Sequence, residues 1–356
     1  MLKKAAALVL VCASMGAWLG CGTTNSRFLF ASIPSSNTIV AYREDPNSGV
    51  LTQLTGSPIT AGSAVEALAL HPSGKYLYAA NSGSNDISLY KVSSTGALTE
   101  VTPRTTAGTS PTLMVMDAAG SFLYVANSGS FDISVFSISS TDGSLTTVVQ
   151  TNGATAPIGL SATNMKLTPS GNTLYVTGQG QQGWIEEFPI SAGQIGEPVA
   201  GSPFLTGNNP IGLVIDSTGS FLYTANKVDG TISEFSINAD GSLAQLSGSP
   251  LGESFSGPIN LMIDKSGKYL YVANQGSANV AAYSIGTDGG LTLLTGSPFT
   301  TGSQPNFLAT DSSGKYLFVG NGTAIESFTL DTGSGGLTSV ASYSVSATPT
   351  SIAITP

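Results

Sequence analysis

Few side chains in this sequence could perform acid–base or nucleophilic chemistry. His71 is the only histidine, and imidazole is the side chain best suited to act as a general base near neutral pH. Its place in the repeat described below is that of a turn residue, so we do not expect it to be catalytic. The sequence has no Gly-x-Ser-x-Gly, no Cys-x-x-Cys and no metal-ligand spacing of His, Asp and Glu, so nothing supports serine nucleophiles or zinc chemistry.

Asparagines form the largest set of polar candidates, because one ends each of five similar apolar strands: Asn81, Asn127, Asn226, Asn274 and Asn321. If the repeats close into a ring, these side chains come to one face. They could then form a polar collar around a central channel and hydrogen-bond polyols or peptide groups. Alternatively, each amide caps the backbone of its own loop. The sequence leaves both interpretations open.

Departures from the repeat point to further candidate positions. Glu66 lies in the first leading strand, Lys227 follows Asn226, and Gly178 with Trp184 breaks the pattern in the fourth copy. Each could be a solvated rim residue or a functional one. Glu66 and Lys227 are the charged residues that we expect nearest the channel mouth. Residues 178–183 also match Gly-x-Gly-x-x-Gly, but a strand and not a helix is predicted next, so we expect no dinucleotide site.

The elements that must position these residues are copies of one strand. Its clearest form is Tyr-Leu-Tyr-Val-Ala-Asn at 269–274, and an unbroken apolar run of this kind predicts a strand buried on both faces. The central leucine recurs every 46 to 51 residues, at Leu29, Leu77, Leu123, Leu174, Leu222, Leu270 and Leu317. Seven copies at this period predict a propeller with seven four-stranded blades.

A second strand precedes six of the seven copies, and four of these strands run into Asp-x-x-Gly, at Asp117, Asp216, Asp264 and Asp311, which predicts a hairpin turn. The first copy, at residues 28–30, has no preceding strand, whereas the chain ends with an unpaired one at residues 349–355. We therefore predict that Ser351-Ile-Ala-Ile354 pairs with Phe28-Leu-Phe30 and closes the ring. Gly-Ser-Pro occurs four times, beginning at Gly56, Gly201, Gly248 and Gly296, where we expect the outermost strand to end.

Composition excludes one class of partner. Only 9% of residues are charged and the formal net charge is −9, so a nucleic-acid partner is not expected. No cofactor is predicted, and we expect a monomer.

The amino terminus has the features of an export signal. Lys3 and Lys4 precede an apolar run, and residues 1–20 end before Cys21. This segment resembles the lipobox of bacterial lipoproteins, in which the cysteine is acylated. We predict a signal at 1–20, a tether at 21–26 and a propeller at 27–356, with the membrane contacted only through the lipid on Cys21. Ordinary secretion, to the periplasm or the medium, or an uncleaved anchor is the alternative.

The Tyr-Val-Ala-Asn motifs at 124–127 and 271–274, with Tyr-Val-Thr-Gly at 175–178, resemble the lactonase-type, or YVTN-repeat, seven-bladed β-propellers. This family includes 6-phosphogluconolactonases, which hydrolyse a sugar lactone without a metal in the central pocket. Their sequences tend to carry Arg-His before a leading strand and Asn-Glu after a second strand. Here the matching segments are Ala64-Val-Glu66 and Asn81-Ser82.

Three classes of function follow from the resemblance and this departure from it. The first is an exported binding or scaffold module for a small molecule, a carbohydrate or an envelope protein. The second is a lactone hydrolase with a divergent site in the central channel. The third, a redox partner of haem-type propellers, lacks the Cys-x-x-Cys-His motif that it would need.

Overall fold

The computed structural model describes residues 26–151, 155–158, 161–180, 182–252 and 255–356. Within these ranges, every element except the 3-10 helix Pro34–Ser36 is a β-strand, and the strands form seven antiparallel sheets. The predicted all-β propeller with seven blades of four strand positions is therefore confirmed. The predicted leader, Cys12 and Cys21 lie outside the described residues.

The first three blades contain the following strands. Blade 1 has β1 (Arg27–Ile33), β2 (Thr38–Glu44), β3 (Leu51–Gln53) and β4 (Ile59–Thr60). Blade 2 has β5 (Val65–Leu70), β6 (Tyr76–Asn81), β7 (Asp86–Val92) and β8 (Leu98–Thr106). Blade 3 has β9 (Pro111–Met116), β10 (Phe122–Asn127), β11 (Asp132–Ile138), β12 (Leu145–Thr147) and β13 (Thr155–Pro157).

The remaining blades follow in chain order. Blade 4 has β14 (Ala162–Leu167), β15 (Thr173–Gln179), β16 (Gly183–Ser191), β17 (Gln194–Ile195) and β18 (Phe204–Leu205). Blade 5 has β19 (Pro210–Ile215), β20 (Phe221–Asn226), β21 (Thr231–Ile237), β22 (Leu243–Gln245) and β23 (Leu251–Gly252). Blade 6 has β24 (Pro258–Ile263), β25 (Tyr269–Asn274), β26 (Asn279–Ile285), β27 (Leu291–Leu293) and β28 (Phe299–Thr300). Blade 7 has β29 (Phe307–Thr310), β30 (Tyr316–Asn321), β31 (Ala324–Leu330) and β32 (Leu337–Ser344), and the chain ends with β33 (Ser351–Ile354).

The second strand of each blade is buried on both faces, as its unbroken apolar sequence predicts. In β25, Leu270, Tyr271 and Val272 are fully buried. The apolar clusters of the described residues each lie between two adjacent blades; one, for example, joins Tyr175 and Ile185 of blade 4 to Leu222 of blade 5. The hydrophobic core is thus a ring of blade-to-blade contacts around an open centre.

The ring closes through the two ends of the chain. β33 pairs antiparallel with β1, and Phe30 lies opposite Ala353 while Ser32 lies opposite Ser351. Phe28 adds a hydrogen bond from its N–H to Thr355 Oγ1 at 2.8 Å. The predicted pairing of the terminal strands is confirmed, and it makes β33 the innermost strand of blade 1.

A buried ion pair joins the same blade to blade 7. Arg27 Nη1 lies 2.7 Å from Asp311 Oδ2 and 3.4 Å from Glu44 Oε1, and both carboxylates are fully buried. Burial, followed by the nearby Asp311 charge, raises the pKa of Glu44 to about 7, although Arg27 acts in the opposite direction.

The two faces of the ring differ in the turns they carry. At one, which we call the hairpin face, the innermost strands of blades 2 to 7 turn into the second strands, and in blade 6 Asp264 Oδ1 accepts hydrogen bonds from the N–H groups of Lys268 and Tyr269. His71 holds the equivalent position in blade 2 and bonds Ser73 and the carbonyl of Gly120, as a turn residue does. The opposite face, which we call the loop face, contains the starts of the innermost strands.

The Gly-Ser-Pro motifs interrupt the outermost strand of a blade, instead of marking its end as predicted. In blade 6, β27 and β28 both pair with β26 on either side of the motif. The serine hydroxyl replaces the missing ladder bond, because Ser297 Oγ accepts from Ala282 N–H at 2.9 Å. Ser57, Ser202 and Ser249 accept from their own third strands in the same way.

Buried tyrosines connect consecutive blades. The hydroxyl of Tyr223 in β20 donates to the carbonyl oxygen of Gly289, in the outer hairpin of blade 6, at 2.7 Å. The same bond recurs from Tyr78 to Gly143, from Tyr175 to Gly241 and from Tyr271 to Gly335. The second tyrosine of the Tyr-Leu-Tyr repeat is therefore a blade-to-blade contact as well as a core residue.

The first prediction concerns closure. We expect deletion of residues 349–356 to lower the free energy of unfolding by more than about 4 kcal/mol, since the buried Ile352 alone contributes roughly 1.5–3 kcal/mol, Ile354 is partly buried, and the deletion exposes an unpaired edge. Chemical denaturation gives the value. The control is a chain that begins at Ser26 and keeps residues 349–356. Equal stability of the two truncated chains would contradict closure by β33.

The second prediction concerns the tyrosine contacts. Tyr223→Phe should cost about 1–2 kcal/mol, because it leaves the Gly289 carbonyl without its buried donor. The matched control is Tyr124→Phe: this equally buried side chain makes no such hydrogen bond within the described residues, so its loss should be near zero. Equal losses in the two variants would mean that the hydroxyl contact contributes nothing specific.

Candidate functional site

The innermost strands enclose a cavity on the axis of the ring. Its volume is about 350 Å³, and each of the seven blades contributes to its wall. This size falls within the range of small-molecule sites in proteins. The cavity is therefore the first place to look for function in this fold.

Much of the polar lining has a structural role, because neighbouring innermost strands belong to different sheets and cannot form a ladder. Asn164 Nδ2 donates to the Ile211 carbonyl at 2.7 Å. Thr350 Oγ1 donates to the Glu66 carbonyl at the same distance. Leu68 N–H donates to Ser351 Oγ at 3.1 Å and Leu308 N–H to Asn260 Oδ1 at 3.2 Å. These side chains hold each innermost strand to the next.

Glu66 lines the cavity, as its irregular position in the repeat led us to expect. It lies at a β-bulge, where Val65 pairs with Asn81 and Ala67 with Ala80. Bulges of this kind redirect a side chain. Its carboxylate is half-buried and has no hydrogen bond or ion pair within the described residues, and burial raises its pKa.

Lys166 is a cavity residue that the sequence analysis missed. Its side chain is exposed to the cavity, yet protein surrounds it closely, so desolvation lowers its pKa. Strand register places it level with Val214 of blade 5 and Met262 of blade 6. Alignment of the seven leading strands would have revealed one lysine at an apolar position.

The two charged groups lie at different depths. Strand register aligns Glu66 with Thr163, three residues before Lys166. At about 3.3 Å per strand residue, their backbones differ in depth by roughly 10 Å. Glu66 is nearer the loop face and Lys166 nearer the hairpin face. They are the only charged residues in the described cavity wall.

Two uncharged groups in the wall are also available. The Thr112 hydroxyl and the Asn260 Nδ2 group line the cavity and donate no hydrogen bond to the residues that the structure describes. With Glu66 and Lys166, they give a set of four available polar groups among apolar neighbours such as Leu113 and Met262. This arrangement can bind a small polar ligand, and a carboxylate with a raised pKa can also accept a proton from water.

The five asparagines of the predicted collar do not line the cavity. Asn81, Asn127, Asn226, Asn274 and Asn321 are all at most 3% exposed, and none lines the cavity. Asn127 Nδ2, for example, donates to Asp132 Oδ1 at 2.7 Å and to Ser134 Oγ at 2.9 Å, both in its own blade. For Asn127 these partners are side chains of the third strand, so its amide nitrogen neither caps loop backbone, as the alternative predicts, nor lines the cavity.

Glycines allow loops to cover these buried amides. A Cβ on Gly62 would lie 2.3 Å from Asn81 Cγ, which is closer than real contacts permit. Gly108 and Gly207 meet Asn127 and Asn226 in the same way. The loop that enters each of these blades therefore seals the asparagine from solvent.

The remaining candidates also lie outside the cavity wall. Lys227 Nζ donates to Gln275 Oε1 at 2.9 Å and so joins loops of blades 5 and 6 on the loop face. The Trp184 ring packs over Gly178, where a Cβ would lie 2.0 Å from the indole. Ligand-binding roles for Glu66, Lys227 and the asparagines remain predictions. Residues 183–191 form a strand and not a helix, as expected for an accidental dinucleotide motif.

Metal-binding clusters and membrane-spanning helices are both absent from the described residues. No group of three or more His, Cys, Asp and Glu in the described residues is arranged to hold a metal ion. Over the same residues, no helix has the length and apolar character needed to cross a bilayer.

Comparison with solved structures places the fold among lactonase-like propellers. A candidate 6-phosphogluconolactonase of Bacteroides fragilis superposes with a TM-score of 0.78 at 22% identity, over 94% of this chain and 99% of that one. The periplasmic gluconolactonase PpgL of Pseudomonas aeruginosa superposes with a TM-score of 0.74 at 20% identity, over 93% and 99%. At these identities the likeness concerns the fold alone. No curated protein matches the chain in sequence.

The family model described as "Lactonase, 7-bladed beta-propeller" matches residues 57–160, 159–260 and 249–354. These matches cover most of the chain and coincide with blades 2 to 7 and the closing strand. The resemblance inferred from the Tyr-Val-Ala-Asn repeats is confirmed, and the chain belongs to the lactonase family of seven-bladed β-propellers.

Proposed function

We propose that this protein is an exported binding propeller whose small-molecule ligand occupies the central cavity and contacts Glu66. The observation that carries the proposal is the pair of charged side chains, Glu66 and Lys166, that line one cavity and have no hydrogen-bond or ion-pair partner among the described residues. Desolvated charges without partners are costly. Residues that depart from the sequence repeat although they lower the stability of the fold are characteristic of functional sites.

The chemistry of the wall favours a hydroxylated ligand. Thr112 and Asn260 offer uncommitted hydrogen-bonding groups, and apolar side chains such as Met262 surround them. Ligand sites typically combine a mainly apolar wall with a few polar groups that fix orientation. A sugar derivative satisfies both features. A protein scaffold role in the envelope, the other form of this hypothesis, has no comparable observation in its favour.

Lactone hydrolysis is a second candidate, because one observation favours it. Burial raises the pKa of Glu66, which makes its carboxylate a stronger base than a free one. It could take a proton from a water molecule whose oxygen attacks the lactone carbonyl carbon. The ring C–O bond would then break, and the leaving oxygen would recover the proton from Glu66. The likeness to PpgL supports this candidate only through the fold.

Export and anchoring are proposed from the sequence. The charged start, the apolar run and Cys21 support a lipoprotein held in the envelope by its acyl chains. Such a location would expose the propeller to extracellular or periplasmic sugar derivatives.

The third prediction tests the cavity. Purified mature protein is screened with sugars, aldonic acids and sugar lactones by thermal shift, because a ligand at 100 times its Kd stabilises the fold by about 2.7 kcal/mol. We expect Glu66→Ala to remove the shift, whereas Lys268→Met, on the exposed hairpin face, should leave it unchanged. A ligand that binds Glu66→Ala as tightly as wild type would contradict the proposal.

The same preparations decide between binding and hydrolysis. Proton release at constant pH measures lactone turnover. If Glu66 is the base, its ionised form is active, so the rate should rise with pH through a pKa above the usual range for Glu and should disappear in Glu66→Gln. Ligand binding with lactone turnover at the buffer rate supports the binding module, and Glu66-dependent turnover supports the hydrolase.

The fourth prediction tests the anchor. The full chain should partition with membranes, because each buried methylene of an acyl chain contributes about 0.8 kcal/mol. Cys21→Ser should release the protein or leave its signal uncleaved, while Cys12→Ser, inside the predicted signal, should still partition. Fractionation and intact-mass measurement give the result. A correctly cleaved Cys21→Ser protein that stays in the membrane fraction would refute the lipid anchor.

A further inference from the structure

The position of Lys166 is the strongest unexplained feature of the cavity. At the same level of the ring, the other innermost strands carry Ala69, Val115, Val214, Met262, Ala309 and Ala353. Six of the seven blades thus present an apolar side chain where blade 4 presents an ammonium group. Nothing in the repeat requires a lysine here, because aliphatic side chains fill the equivalent positions.

No carboxylate in the neighbouring strands serves as its partner. The strands packed most closely against β14 are β9, β15 and β19, and none of them contains Asp or Glu. The titratable side chain that they do contain is Tyr175, whose hydroxyl donates to Gly241 in the next blade, and β10, which also contacts β14, adds Tyr124. Asp117 and Asp216 directly follow β9 and β19, but their carboxylates accept hydrogen bonds from the N–H groups of their own turns. Glu66, the other charged residue of the described wall, starts about 10 Å away in depth.

The Lys166 ammonium group therefore has no anionic partner in the neighbouring strands. It is exposed to the cavity, and the residues at its level in the other six blades are apolar and offer it no side-chain hydrogen-bond acceptor. A bound anion would restore the lost solvation, and a charge-assisted hydrogen bond is stronger in such surroundings than in water.

From this geometry we infer that Lys166 is an anion subsite, and that the ligand of the cavity is a polyhydroxylated carboxylate such as a sugar acid. Its carboxylate binds the Lys166 ammonium group, while its hydroxyl groups extend past Asn260 and Thr112 towards Glu66. This inference rests on the proposed function, whose cavity it shares, and adds the chemical class of the ligand.

A carboxylate fits this subsite better than a phosphate group. Phosphate carries up to two charges and three acceptor oxygens, and its sites usually supply several donors, such as an Arg fork or a set of backbone N–H groups. Here one ammonium group stands among aliphatic side chains, and no other cation lies in the described wall. A single positive charge matches a single carboxylate.

The inference fixes the direction of a pH effect. The ammonium form binds the anion, so affinity should fall as pH rises through the lowered pKa of free Lys166. Ionisation of Glu66 acts in the same direction, because its negative charge repels the ligand as pH rises through its raised pKa. Glu66→Gln removes the second contribution, and any pH dependence that remains reports Lys166.

The fifth prediction uses gluconate as the probe and sorbitol as its uncharged counterpart, with calorimetric titration of the mature protein. We expect wild type to bind gluconate at least tenfold more tightly than sorbitol. Lys166→Met should lose at least tenfold in gluconate affinity and keep its sorbitol affinity, while Lys268→Met should match wild type. Gluconate binding should also take up protons, measured in buffers of different ionisation enthalpy, since the anion favours the ammonium form.

Folding of the variant is not expected to limit the test. Methionine is the residue at the equivalent position of blade 6, Met262, so Lys166→Met should melt at or above the wild-type temperature because a desolvated charge is removed. Equal binding of gluconate and sorbitol, or unchanged gluconate affinity in Lys166→Met, would overturn the anion subsite and leave the cavity proposal standing. Absence of binding by both probes and by every compound of the earlier screen would overturn both.

Discussion

The structure depends on how blades are joined when they cannot share a β-ladder. Within a blade, backbone hydrogen bonds satisfy the strands, but neighbouring blades meet face to face and need other contacts. Three kinds of contact recur around the ring: apolar clusters between blades, buried tyrosine hydroxyls such as that of Tyr223, and side chains of the innermost strands such as Asn164. Single contacts such as the Arg27–Asp311 ion pair add to them. Only in blade 1 do the two ends of the chain contribute a ladder, between β1 and β33, and this ladder keeps the ring from opening.

This constraint also separates structural polar groups from available ones. A polar residue on an innermost strand is explained when it bonds the next blade, as Thr350 does through the Glu66 carbonyl. Four of the five asparagines of the second strands likewise donate to side chains of their own blades, as Asn226 does to Ser233, whereas Asn321 Nδ2 has no hydrogen-bond partner among the described residues. In the described cavity wall, the charged Glu66 and Lys166 remain once these contacts are assigned, together with the Thr112 hydroxyl and the Asn260 Nδ2 group. The candidate site thus consists of the polar groups of this wall that form no contact between or within blades.

The fold could be predicted in detail because the same strand motif occurs seven times in the sequence. Repetition of the Tyr-Leu-Tyr strand gave the number of blades, and the unmatched strands at residues 28–30 and 351–354 gave the closure. The site could not be predicted to the same degree. Whether a polar residue faces the cavity depends on bulges such as that at Glu66, and whether it is available depends on neighbours from other blades. Asn127 is equally polar in sequence, yet a glycine loop seals it. Lys166 was missed because a single lysine in a strand usually lies on a solvent-exposed face. Its unusual position becomes visible only when the seven leading strands are aligned.

The interrupted outer strands have a consequence beyond the blade that contains them. The rim of a propeller is a circle of exposed strand edges, and long regular edges recruit strands from other molecules. This chain has few charges to repel such contacts, with only 9% charged residues. Where a Gly-Ser-Pro motif divides the outer strand into pieces as short as Phe299–Thr300, the serine bonds inward and the proline offers no N–H to an incoming strand. At these four blades the rim therefore gives a neighbouring molecule no continuous template, whereas the outermost strands of blades 2 and 7, β8 and β32, are not divided in this way. The four interruptions should lower the tendency of a weakly charged protein to aggregate where it is crowded.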